Sequence, residues 1–163
     1  MIKPHFQTFA AYNKWADTTL YDACEGLSEE VLNRDVGVYF SSLMGTLNHL
    51  VVTDRVWLSR LTGQGTHPPT LDTIITTDLA ALRRLAMAEA DRLIGWVDSQ
   101  SSDELNAPFD YHTMNGTAHN KLRRESLAHL NNHQTHHRSQ VTTCLNILGV
   151  EPPVLDMLDF QRG

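Results

Sequence analysis

The chain has 163 residues, of which 41% are hydrophobic and 20% charged, with a formal charge of −6 at pH 7. That length suits one domain with its own core, and the composition excludes wholesale disorder. The acidic balance argues against DNA or RNA, whose affinity rests on phosphate contacts from lysine and arginine, and no apolar run is long enough to cross a membrane.

The first segment with helical periodicity runs from about His5 to Cys24, with a stripe through Phe6, Phe9, Asn13, Leu20, Cys24 and Leu27. Gly26 stops it, and Ser28 with Glu30 and Val31 marks a short extra turn. The opening MIKPHFQTFAAYNKWAD lacks the unbroken apolar core of a secretory leader, so the expected location is cytoplasmic. The second segment runs from Ser41 or Ser42 to Leu61 and is closed by Gly63, Gly65 and Pro68-Pro69. The third starts near Asp72 or Thr77 and ends at about Val97, before Ser99-Gln100-Ser101-Ser102.

Residues 105–117 break the pattern. Phe109, Tyr111 and Thr113 alternate and Asn115-Gly116 is a hairpin-type dipeptide, so a small irregular excursion or two short strands is expected. The last segment begins near Thr117–Asn120 and runs to about Leu148, where Gly149 and Pro152-Pro153 end it. Four such segments, with no strand able to carry a large sheet, imply an all-α helix bundle. Cys24 and Cys144 are far apart and no CxxC occurs, which excludes a disulfide framework and a zinc ribbon.

Four of the nine histidines, His129, His133, His136 and His137, fall in the last segment, within HLNNHQTHHRSQV. On a wheel that advances about 100° per residue, with His129 at zero, the apolar residues Leu127, Leu130, Val141, Leu145 and Leu148 lie at roughly 100–160°. His137 lies at about 80° and His133 at about 40°, whereas His129 and His136 stand near 0° and −20°. His133 and His137 are thus the most inward pair, and their i, i+4 spacing lets two imidazoles converge on one ion. His133–His136 and His129–His133 are weaker competitors, and HxxxH alone is a loose pattern. Two inward histidines one turn apart are costly to bury unless something satisfies them. The sequence His133-Gln134-Thr135-His136-His137 lacks the glutamate of the HExxH metalloproteases. A further ligand must come from elsewhere. His49 lies inside the second helix, at the border of its apolar stripe. Asp54 is its rival on the same helix, unless it is a buried acid paired with an arginine or a backbone group.

The stretches FAAYNKWADTTLYDAC, LMGTLNHLVVTDRVWLSRLTG and HLNNHQTHHRSQVTTCLNILG, in this order and spacing, resemble the DinB/YfiT-like superfamily, and within it the DinB group of damage-inducible proteins. The resemblance spans nearly the whole chain. It implies an antiparallel four-helix bundle with a long crossover, frequent homodimers, and one divalent metal ion held by a histidine of the second helix and two of the last. Carried over by position these are His49, His133 and His137, which decides for His49 over Asp54. One departure is visible. The family often has glycine after the HHR triplet, where this chain has Ser139, a change that bears on how closely another helix approaches.

Three neutral histidines leave a tetrahedral ion one open position, the pattern of catalytic sites. Zinc or nickel leads the candidates for the ion, followed by iron or manganese. Relatives in the wider superfamily include thiol S-transferases and isomerases that use low-molecular-weight thiols such as bacillithiol or mycothiol. The first expectation is therefore a transferase in which a metal-held thiolate attacks a small electrophilic molecule. Asn13, Trp57 and Asn132 would line the pocket and Arg138 would orient a carboxylate. Plainer roles compete: packing for Trp57, solvation for Asn132 and Arg138, capping or a core hydrogen bond for Asn13. The second expectation is a stress-induced metal-binding or interaction protein without turnover.

Overall fold

The computed structural model describes residues 2–162. Helix α1 spans Lys3–Cys24, with proline in its first turn, where the missing N–H has no intrahelical partner to lose. Ser28 caps a short helix α2 (Glu29–Asn33) by accepting from the Val31 N–H. Helix α3 (Leu43–Thr62) opens on Ser42, whose hydroxyl accepts from the Gly45 N–H, and closes on Gly63 in the left-handed region. Helix α4 (Leu79–Ser99) starts at Asp78, whose carboxylate accepts from the Ala81 N–H. A capping box of Ser101 and Glu104 then initiates α5 (Ser102–Asn106). Strands β1 (Pro108–His112) and β2 (Ala118–Leu122) pair antiparallel, with Tyr111 opposite His119. Helix α6 (Arg123–Ile147) and a short α7 (Met157–Arg162) complete the order.

The expected four helices are present as the long ones, but three short helices accompany them among the described residues. The last long helix begins later than the sequence pattern indicates, because residues 118–122 extend to pair with β1.

Helices α1 and α3 each pack against both α4 and α6. Two apolar clusters show the helix directions. One joins the C-terminal part of α1 (Leu20, Cys24) to the starts of α3 (Leu43, Leu47) and α4 (Leu82) and the end of α6 (Leu145). The other joins the start of α1 (Phe6) to the ends of α3 (Leu58, Leu61) and α4 (Val97) and the start of α6 (Leu127). So α1 and α6 run one way and α3 and α4 the other, giving parallel as well as antiparallel neighbours. The connection 63–78 must then return the length of α3. It does so along that helix, where the Asn48 side chain accepts from the Ile75 N–H and donates to the Thr76 carbonyl.

A polar layer separates the two clusters. Arg138 is 1% exposed and donates to Asp17 (3.3 Å) and Asn13 (2.8 Å) on α1, and Asn13 donates to Asn131 (2.7 Å). Gln134 donates to Asp54 (2.5 Å) and to the Leu50 carbonyl on α3. Most polar atoms of this layer are partnered, with Gln134 Oε1 and Arg138 Nε left without a hydrogen bond, and such a network favours one register of α1, α3 and α6 more than it adds net stability.

Candidate metal centre

Helix α3 contributes His49, and α6, running antiparallel to it, contributes His133 and His137. One ring nitrogen from each forms a set whose members all lie within 4.8 Å of one another. The Nε2 atoms of His49 and His133 are 3.2 Å apart. Two nitrogens at a tetrahedral angle on an ion about 2.0–2.1 Å away would stand about 3.3 Å from each other. The ring centroids of His137 lie 4.4 Å from His49 and 4.3 Å from His133.

The neighbours of two of these rings fix their tautomers. Nδ1 of His49 faces the Leu71 carbonyl at 2.8 Å. A carbonyl only accepts, so the proton sits on Nδ1 and the Nε2 lone pair faces the cluster. Nδ1 of His137 donates to Gln140 Oε1 at 2.8 Å, which frees its Nε2 in the same way. Nδ1 of His133 is buried and has no partner.

Burial favours the neutral form of all three rings. It lowers His49 to about 4. Burial first, then the neighbouring imidazoles, lowers His133 to about 3. His137 is lowered as well, chiefly by burial and against the opposing bond to Gln140. Neutral imidazoles with converging lone pairs are a donor set that fits a divalent ion of the zinc type.

Phe40 covers one side of the cluster, stacked on His49 at 3.9 Å between centroids and edge-on to His137 at 5.6 Å. Ser41 takes a left-handed φ of 65° to turn the chain there, and at Gly45 a Cβ would collide with the Phe40 carbonyl. Beyond Phe40 lies a cavity of about 1080 Å³, which the three histidines share with His136 and Asp72. Phe40 was not among the expected site residues. Nothing in the run Tyr39-Phe40-Ser41-Ser42 signals that its aromatic ring folds back onto a helix.

The other expected residues are dispersed. Trp57 lines a neighbouring cavity of about 870 Å³, which also reaches His133. Asn13 and Arg138 are not brought to the histidines: they bind each other inside the polar layer, on the side of α6 that faces α1. Asn132 is exposed and lines neither cavity, while its neighbour Asn131 is the buried one. On α6 these residues lie on different faces from His133 and His137. Asp54 is 7% exposed and its partner is the Gln134 amide, in place of the expected arginine or backbone group. Burial, then the Asp17 charge, pushes its carboxyl well above the usual range. Gln134 occupies the place of the HExxH glutamate and points into the core. Cys24 and Cys144 are free and buried, and burial pushes the Cys24 thiol up to about 12, so neither is a reactive thiolate.

Comparison with known proteins matches the DinB family model over residues 1–163. The chain is similar to Protein DinB of Bacillus subtilis (strain 168), 22% identical over 149 residues, covering 85% of this chain and 83% of that protein. A crystal structure of a DinB-like protein from Bacillus cereus ATCC 10987 superimposes with a TM-score of 0.67 at 18% identity, covering 86% of this chain and 90% of that one. That likeness shows the fold.

Proposed function

The chain belongs to the DinB family, and from that membership and the three imidazoles we propose a metal-dependent thiol S-transferase acting on small electrophilic molecules. In this reading His49, His133 and His137 hold one divalent ion, with zinc or nickel favoured over iron or manganese. The observation that carries it is the pair of Nε2 atoms 3.2 Å apart, one on the buried ring of His49 and one on the half-buried ring of His133, with the His49 proton committed to Leu71 on the far side. An ion on three neutral imidazoles keeps a position at which a bound thiol or water loses its proton near neutral pH.

The remaining work falls to the chain's own residues. Leu71 and Gln140 hold the His49 and His137 rings in the ligating orientation. Phe40 shields one side from water. His136 is exposed on the cavity wall and offers an acceptor for the proton that a thiol releases.

A second reading, a metal-binding protein without turnover, draws on one observation. Asp72 is the one carboxylate on the cavity wall among the described residues; it is exposed, and a hydrogen bond with Thr70 holds it below the usual range, which makes it a weak base. Two measurements decide. Metal analysis of untagged protein, beside His49→Ala and His137→Ala, should show about one ion per chain in the parent only. Thiol consumption with reactive electrophiles should then be lost in His133→Ala. Metal without turnover across several thiols would establish the second reading, and a parent that binds no metal would end both.

A further inference from the structure

The cavity beside Trp57 has a composition of its own. Trp57 packs against Tyr111 at 5.4 Å and His129 at 5.1 Å, so α3, β1 and α6 each supply an aromatic wall. Over this wall lies Arg60, with its guanidinium carbon 4.8 Å from the Trp57 centroid and 5.2 Å from that of Tyr111. Stacking holds the planar cation against the rings and leaves its N–H edge free. Arg60 is half-buried and has no carboxylate or carbonyl partner among the described residues. The other arginines are each paired with a carboxylate, bound to backbone carbonyls, or exposed. Lys121 adds a second cation to the rim, against Glu125 as the one acid, in a chain that is acidic overall.

This cavity also continues the histidine site. His49, Thr53, Trp57 and Arg60 recur at helical spacing along one face of α3, and His137, His133 and His129 run antiparallel along α6. His133 lines both cavities. From His49 to Arg60 the helix advances about 16 Å at ~1.5 Å per residue, a span the long arginine side chain shortens.

We propose that the cavity is a binding subsite for the carboxylate of a small molecule, received by Arg60, with Trp57 and Tyr111 as the platform for the ligand's apolar or unsaturated body. A guanidinium edge matches a carboxylate with two parallel hydrogen bonds, and the aromatic floor strengthens them by excluding water. The subsite rests on the proposed function only for what the histidines hold at the other end. The carboxylate belongs either to the thiol or to the electrophile.

The test uses the full chain, untagged and freed of metal with chelator, titrated with benzoate and with its uncharged analogue benzamide. Tryptophan fluorescence and calorimetry report binding. Benzoate is expected to bind at least fivefold more tightly than benzamide, and Arg60→Gln to erase that difference while leaving benzamide unchanged. Arg60→Lys should restore part of it, since charge returns without the two-pronged donor. If Arg60→Gln fails to fold, the lysine variant serves alone, with a partial, at least twofold loss of benzoate binding expected. Absence of benzoate binding, equal binding of the two probes, or a smaller loss in the variants would overturn the proposal. Arg60 would then merely fasten the hairpin to α3.

Zinc content separates the two readings. Arg60→Gln should keep the ion, and metal-free His49→Ala should keep benzoate, so either site can fail alone. For the source of the carboxylate, N-acetylcysteine displacing benzoate more strongly from zinc-loaded than from metal-free protein assigns it to the thiol. Equal or absent displacement assigns it to the electrophile.

Discussion

Lowering the pH from 7 to 5 should cost this chain little of its affinity for zinc. An ordinary imidazole with a pKa of about 6.5 is almost wholly protonated at pH 5, and a proton on the ligating nitrogen weakens metal binding by about 30-fold. Three such ligands would together lose about 10⁴-fold. His49 and His133 are held near 4 and 3, mainly by burial. A depressed pKa keeps these rings neutral until the pH falls toward those values, so at pH 5 protons barely compete for them. His137 is also lowered, which makes about 30-fold the ceiling for the whole site over this interval. The assay is zinc competition against a chromophoric chelator calibrated at each pH, on protein first stripped of metal. A loss of about 100-fold or more, clearly above that ceiling and with the chain still folded by circular dichroism, would refute the claim that burial holds these rings neutral.

Gln140→Ala removes the acceptor that orients His137, and metal affinity should fall about 10–100-fold with little change in fold, measured in the same competition assay. Arg138→Met strands the buried Asp17 carboxylate and should destabilise the chain by about 3–5 kcal/mol in chemical denaturation. That deficit should shrink as the pH falls: burial raises the Asp17 pKa above its unfolded value, so the fold favours the protonated acid, which needs no cation. Asp17→Asn placed in the same chain should recover part of the loss. Gly45→Ala forces a methyl group against the Phe40 carbonyl, and a cost of about 1–3 kcal/mol is expected together with an altered aromatic circular dichroism signal. An unchanged spectrum would mean that the Phe40 turn yields freely.

The long helices and two of the metal candidates were legible because helical periodicity and i, i+4 spacing are properties of one segment. His133 and His137 fell beside the apolar stripe, and the structure points both at His49. His49 itself was not decidable by periodicity: Asp54 lies on the same helix and is equally buried. What separates them is which element lies opposite, and that is a tertiary fact. Phe40 was invisible for the same reason, since its role arises from a turn through Ser41. The expectation of Asn132 in the pocket had no support from the wheel, which puts it at about 300° and its neighbour Asn131 at about 200°, nearer the apolar stripe; Asn131 is the one that is buried. The Ser101–Glu104 capping box is present in the sequence as Ser-x-x-Glu, and the short helix α5 follows from it. The pairing of residues 118–122 with β1 shortened the last helix, because a strand partner offers backbone hydrogen bonds that a fraying helix end lacks.

The acceptor that orients His49 is a main-chain oxygen, supplied by a connection whose residue 71 is 45% exposed. Every amino acid type brings that same oxygen. Evolution is therefore free to rewrite the side chain at this position while the imidazole stays aligned, provided the route of the segment past α3 is kept. Asn48 secures that route by gripping the segment at residues 75 and 76. Comparisons among related chains should accordingly find variation at 71 and constraint at 48, an asymmetry that would be baffling if only groups touching the ion were considered.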